Sequence, residues 1–260
     1  MVFDIRGRRK HVVRFVYAIL AVLMGTSLFL VVGPVSIGSL LGTNTATSSA
    51  AGLYEEQATT LERKLRKSPQ DASLLLSLTR ARISAGNALS EINAKTGQPT
   101  ATPAARVQLE KSSEAWSRYL KLAGKEPNAS TAQLAAGALF RLAESSTSGA
   151  EAAANLKSAA RAQQIVAETQ PTLGSVSTLA EFRYFAFDFA GAKKAAAQAR
   201  SLANSKAQRT QLETALKQVS TRAKAFQKQV KAEAKESKGK GKETLKNPLG
   251  GLSGEGSTLR

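Results

Sequence analysis

One histidine, His11, and no cysteine stand among the 260 residues. That removes thiolate nucleophiles, disulfides and cysteine-based zinc sites, and it removes most general-base arrangements as well. The remaining reactive groups are carboxylates. Glu110 and Glu114 are four apart, so a helix sets both on one face. Glu144 and Glu151 are seven apart, across a Ser/Gly-rich turn at 145–149. Both pairs read as solvated surface. No acidic cluster has the spacing of a calcium loop. Gly239-Lys240-Gly241-Lys242 has the residue types of a phosphate loop, but no strand precedes it, the glycine spacing is wrong, and Glu243 stands where Ser or Thr is needed. Asn128-Ala129-Ser130 matches a glycosylation sequon, yet Pro127-Asn128 reads better as a helix cap. The expectation is a protein that is not an enzyme and carries no metal or cofactor.

Charge is the next signal. The formal net charge is +18, and it is concentrated at the two ends. Arg6, Arg8, Arg9, Lys10 and Arg14 against Asp4 leave residues 1–14 at +4, and residues 206–260 hold thirteen Lys/Arg against five Glu, a net of +8. A basic end suits a polyanion such as lipid headgroups, an anionic wall polymer or nucleic acid; the plainer reading is a solvated tail. The tail lacks the interleaved aromatics that stack on bases, so nucleic acid is not the expected partner.

Phe15 to Gly33 reads FVYAILAVLMGTSLFLVVG, without a charge. Nineteen residues at about 1.5 Å each span close to the ~30 Å of a bilayer core. The basic cluster precedes it, and no charge follows until Glu55. The positive-inside rule then keeps the N-terminus in the cytoplasm and sets the rest outside, anchored in the cell membrane by a single pass. A cleaved signal peptide and a buried core helix are the competing readings; the run is longer than a signal's apolar core. Residues 34–54, rich in Gly, Ser and Thr, read as a flexible linker.

From about residue 55 the pattern is helical, with no sustained strand alternation. Hydrophobic residues make up 42% and aromatics only 5%, and alanine is abundant, which favours close-packed helices. Pro69 with Asp71, and Pro127 with Asn128, are helix-start signals. In 173–206, Leu179-Ala180, Tyr184, Asp188-Phe189, Ala192, Ala196 and Ala199 fall in order. The small residues would let two antiparallel helices approach, and the large ones would fill the space between hairpins. This order resembles the tetratricopeptide repeat, with Arg183 where an aromatic is usual and Phe187 where Gly is usual. Two weaker copies carry Leu78, Ile83 and Gly86, then Ala115, Tyr119, Leu122 and Pro127; and Leu134-Ala135, Leu139, Ala159, Ala160 and Pro171. An insertion of roughly 24 residues against the repeat length, holding Gly97, Pro99 and Pro103, reads as a loop within the first copy. A generic helical bundle is the alternative.

Beyond the repeats, Leu212, Leu216, Val219, Ala223, Phe226 and Val230 form one apolar stripe. It reads as a helix that caps the last repeat, with a short dimerising coiled coil as the rival. After Glu236 the sequence is Gly, Ser and Lys, and reads as disordered. The expected architecture is all-α: a cytoplasmic basic stub 1–14, a transmembrane anchor 15–33, a linker 34–54, a repeat domain 55–206 in a short solenoid, a capping amphipathic helix 207–235 and a basic tail 236–260. This layout resembles the single-pass, membrane-anchored tetratricopeptide proteins of actinobacteria.

Stacked helix pairs present a concave surface. The resemblance implies that the first helix of each pair lines it, here with Arg80 and Ile83, Leu139 and Phe140, and Glu181, Tyr184 and Phe185. Such a groove would hold a protein or peptide segment. The function expected is an extracytoplasmic interaction scaffold in envelope assembly. Two alternatives remain: a translocon-associated or holdase-like chaperone, or a tether that binds wall polymer or anionic lipid through the basic tail.

Overall fold

A computed structural model describes residues 45–92, 99–124 and 126–236. The expected membrane span 15–33, His11, the linker up to 44 and the basic tail from 237 lie outside the described residues. Among the described residues no helix is long and apolar enough to cross a membrane. The helical domain is the compact unit that begins at Ser48.

Eight α-helices account for nearly all of the described residues: α1 (Thr45–Lys67), α2 (Ala72–Ala88), α3 (Pro103–Leu122), α4 (Ala129–Glu144), α5 (Gly149–Thr169), α6 (Leu173–Phe185), α7 (Phe189–Leu202) and α8 (Lys206–Glu236). The all-α expectation holds. The insertion between α2 and α3 is not loop throughout: β1 (Glu91–Ile92) and β2 (Pro99–Thr100) pair antiparallel, Glu91 opposite Thr100.

The linker expectation needs correction at its C-terminal end, because α1 begins at Thr45. The Ser/Thr/Gly composition reads locally as coil, but Ala51 and Ala58 are buried, and burial of a small-residue face outweighs weak intrinsic propensity. Farther along α1 the anchoring is polar. Arg82 on α2 is 4% exposed and donates to Glu62 of α1 at 2.5 Å and to Gln108 of α3 at 2.6 Å. Gln108 in turn donates to Glu55 of α1 at 2.7 Å. One buried guanidinium thus ties three helices together.

The helices pair as the sequence suggests: α2 on α3, α4 on α5, α6 on α7. Successive hairpins also touch, α3 with α4 and α5 with α6, and the α2–α3 pair forms across the insertion. Local signals set the ends. Asp71 accepts from the Leu74 amide and from the hydroxyl and amide of Ser73, and these bonds hold its carboxyl below the usual range. Asn128 caps α4 through the Thr131 amide, and Tyr119 accepts from the Asn128 amide at 2.8 Å. Thr172 and Ser175 form a capping box on α6. At Gly86 α2 and α3 approach closely: a Cβ there would stand 2.7 Å from Leu109 Cδ2.

Two apolar clusters form the interior. Leu75, Leu109, Trp116, Leu139 and Leu142 belong to the first, spanning α1 to α5. Leu156, Val176, Leu179, Tyr184, Leu212 and Phe226 belong to the second, spanning the last hairpins and α8. Ala180, Ala192 and Ala199 are fully buried, as close approach of α6 and α7 requires.

The α6–α7 turn departs from ordinary residue choice. Phe187 has φ 63°, in the left-handed region that usually calls for glycine. The Phe187 amide donates to the Tyr184 carbonyl and the Asp188 amide to the Arg183 carbonyl at 2.9 Å, the bond pair of a Schellman motif with Phe187 at its left-handed position. The ring of Phe187 lies 5.4 Å from that of Phe226 on α8. α8 packs against α6, α5 and α7. Its apolar stripe enters the second cluster, and Glu233 accepts from the Gly149 amide at 2.8 Å, placing a carboxylate at the α5 N-terminus.

Candidate functional site

The first helices of the three hairpins, α2, α4 and α6, are linked side chain to side chain. Arg80 of α2 donates through Nε to Thr131 Oγ1 at 2.8 Å and through Nη2 to Asn128 Oδ1 at 3.2 Å. Arg141 of α4 donates to Asn87 of α2. Phe140 of α4 stacks on Phe182 of α6, with ring centroids 5.5 Å apart and planes 15° apart. These contacts run from one first helix to the next and define a surface across all three.

That surface combines open apolar area with charge. Leu134 is 46% exposed. One turn on, Gly137 faces open space: a Cβ there would meet nothing within 4 Å. Phe140 and Phe182 are partly buried beside it. The sequon residue Asn128 is committed to the α4 cap and to Arg80.

Two carboxyls here are unlike ordinary surface glutamates. Burial pushes Glu181 up to about 7, with no opposing charge. Burial also pushes Glu144 up to about 7, against the pull of Arg141. Desolvation disfavours the charged form, so both titrate near neutrality. The reading of Glu144 as solvated surface is corrected accordingly. Its sequence partner Glu151 faces elsewhere and pairs with Arg106. Arg106 also holds Glu110 at 2.8 Å.

The seven groove residues expected from the resemblance divide into two groups. Arg80, Phe140 and Glu181 lie on the linked surface. Ile83, Leu139, Tyr184 and Phe185 are 2%, 2%, 7% and 5% exposed; the expectation that they face a ligand is corrected, and they are packing residues. For Tyr184 and Phe185 the cause is α8, whose Leu212, Leu216 and Phe226 share their cluster. Phe182, Leu134, Gly137 and Asn87 do not stand out as groove residues in the sequence. Phe182 was the legible one, an aromatic at helical spacing from Phe185 and adjacent to Glu181.

Among the described residues no group of three or more Asp, Glu or His side chains is arranged to hold a metal ion. Comparison with known proteins gives no relative: no family model matches the chain, and no curated protein and no solved structure matches it.

Proposed function

We propose that the protein is a non-catalytic interaction scaffold of tetratricopeptide type that binds a protein or peptide segment across α2, α4 and α6. The observation that carries this reading is the chain of inter-helix contacts, Arg80 to Thr131, Asn87 to Arg141 and Phe140 to Phe182, surrounding the open strip at Leu134 and Gly137. A peptide helix or extended segment would seat apolar side chains against Leu134, Phe140 and Phe182. Arg80, Arg141, Glu144 and Glu181 would select its charge. The expected anchor at 15–33 would confine this binding to the membrane surface and raise the local concentration of partners there, with the domain outside the cytoplasm.

A holdase would present a broad apolar groove. Here apolar and charged groups alternate, which favours a selective scaffold over a promiscuous chaperone. The test is site-specific photo-crosslinking of the full-length protein in cells. A crosslinking residue at Leu134 or Thr178 samples the first-helix surface; one at Lys111 or Lys157 samples exposed positions on α3 and α5. Capture of a small partner set from the first pair of positions only, lost on Phe140→Ala, is the expected result. The same set from both surfaces would sink the groove assignment.

A further inference from the structure

A second cleft lies between α7 and α8, away from the first-helix surface. It encloses about 510 Å³, with Tyr184, Leu212 and Leu216 among its lining residues. Lys193 and Arg200 line it from α7, Lys217 and Lys224 from α8. Each pair is seven residues apart, two helical turns or about 10.5 Å along its wall. Glu213 is the one carboxylate in the lining, and it is engaged by Arg200 at 2.9 Å. Lys193, Lys217 and Lys224 make no ion pair among the described residues, so three lysines line one cleft whose single carboxylate is already engaged by Arg200.

We propose that the α7/α8 cleft binds a linear, phosphodiester-linked polyanion, held by Lys193 on one wall and by Lys217 and Lys224 on the other. Three features select this ligand. First, cations on two facing walls suit a chain laid between them, whereas a flat membrane would meet only an outward ridge. That ridge lies farther along the same face: Lys228, Lys231 and Lys235, outside the cleft lining, continue the line of Lys217 and Lys224 at spacings of 4, 3 and 4 toward the end of α8. Second, the unpaired cations are lysines, which meet the oxygens of successive phosphates as point charges without a fixed fork geometry, and the one arginine is engaged by Glu213. Third, the sole aromatic ring in the lining, Tyr184, is 7% exposed. A nucleic acid would find no platform for its bases.

The experiment titrates the full-length protein into a fluorescein-labelled poly(glycerol phosphate) oligomer and follows anisotropy across a salt series. With about three backbone contacts, affinity should fall roughly 20-fold between about 50 and 200 mM salt, as counterion release on a single strand dictates. Two variants remove equal charge from different places: Lys193→Gln/Lys217→Gln/Lys224→Gln inside the cleft, and Lys228→Gln/Lys231→Gln/Lys235→Gln beyond it. All six residues are exposed, so both variants should fold, which circular dichroism checks. The cleft triple should weaken binding and remove most of the salt dependence over the same range, while the distal triple stays within about twofold of wild type. Equal losses from the two triples would show that only total charge matters and would overturn the site. Phosphatidylglycerol vesicles that compete, with the distal triple the impaired one, would assign the lysines to a membrane surface instead. Tighter binding of oligo(dT) than of the glycerol polymer would assign the cleft to nucleic acid.

Discussion

Gly86 of α2 and Gly137 of α4 both sit inside helices, and alanine should have opposite effects at the two positions. At Gly137 a Cβ meets nothing within 4 Å, so Gly137→Ala gains helix propensity alone and should raise stability by about 0.5–1 kcal/mol. At Gly86 it meets Leu109 at 2.7 Å and the Ala105 carbonyl at 3.3 Å. Gly86→Ala should therefore destabilise by about 1–3 kcal/mol through overpacking; urea denaturation of both variants reads the contrast. Helix-forming cost borne at Gly137 with no packing return fits a position kept small for a ligand, and Gly137→Ala should weaken partner capture while it stabilises the fold. Glu181 makes a separate claim, on pH. Its carboxyl titrates at about 7 in the fold against a usual 4.5. Below pH 4.5 both folded and unfolded states are protonated, and burial is not penalised. As pH rises toward 7 the unfolded state ionises first, so this contribution to stability is lost and stays lost above 7. Glu181→Gln should match wild type near about pH 4 and exceed it at about pH 8, measured as denaturation midpoints at both; a gap that does not change with pH would contradict the assigned burial.

At the scale of elements, the docking of α1 depends on Arg82. Its side chain is 5% exposed while that of Glu62 is 38% exposed, so the pair is buried at one end and hydrated at the other. Its Nε is buried without a partner, a cost already present in the native fold. Arg82→Ala removes two hydrogen bonds and leaves Gln108 buried, and should cost about 1–3 kcal/mol. Arg82→Met keeps the stem's packing and deletes the orphaned Nε, and should cost less. Thermal melts that rank the two variants the other way would mean that the polar bonds, and not the filled volume, fix α1. How much was legible in the sequence also differs by element. Asp71 and Asn128 announced their helices because a cap is read from three or four adjacent residues. The α6–α7 hairpin and the α8 stripe were legible because their periodicity is local. The start of α1 was not, since Ala51 and Ala58 are helical by virtue of what they pack against. Tyr184 and Phe185 misled for the same reason: their spacing fits a groove, but a helix some 30 residues downstream covers them.

At the scale of the whole molecule, two surfaces are separated by chemistry and by the helices that build them. The first helices α2, α4 and α6 offer an amphipathic strip whose two raised carboxyls change charge near neutrality. The α7/α8 edge offers unpaired lysines. The sequence shows net basicity toward its C-terminal end but places it in a tail; in the fold eight of those cations are spread along α8 itself, and the cleft that gathers three lysines becomes visible only when α7 is laid beside it. Stacked helix hairpins permit this division, because each hairpin contacts chiefly its neighbours and the last one can be capped without altering the first.

Phe187 carries a backbone conformation that costs a non-glycine residue roughly 1–2 kcal/mol, and its ring packs against Phe226. The turn and α8 are therefore coupled: the contact that offsets the strain is supplied by a different helix. If α8 lifts away, the α6–α7 turn keeps its unfavourable geometry but loses the ring contact with Phe226, and the two should let go together. The C-terminal edge of the stack then behaves as a latch, closed or open as a unit, and amides of α8 and of the 186–189 turn should exchange with solvent at one shared rate instead of fraying residue by residue from the chain end.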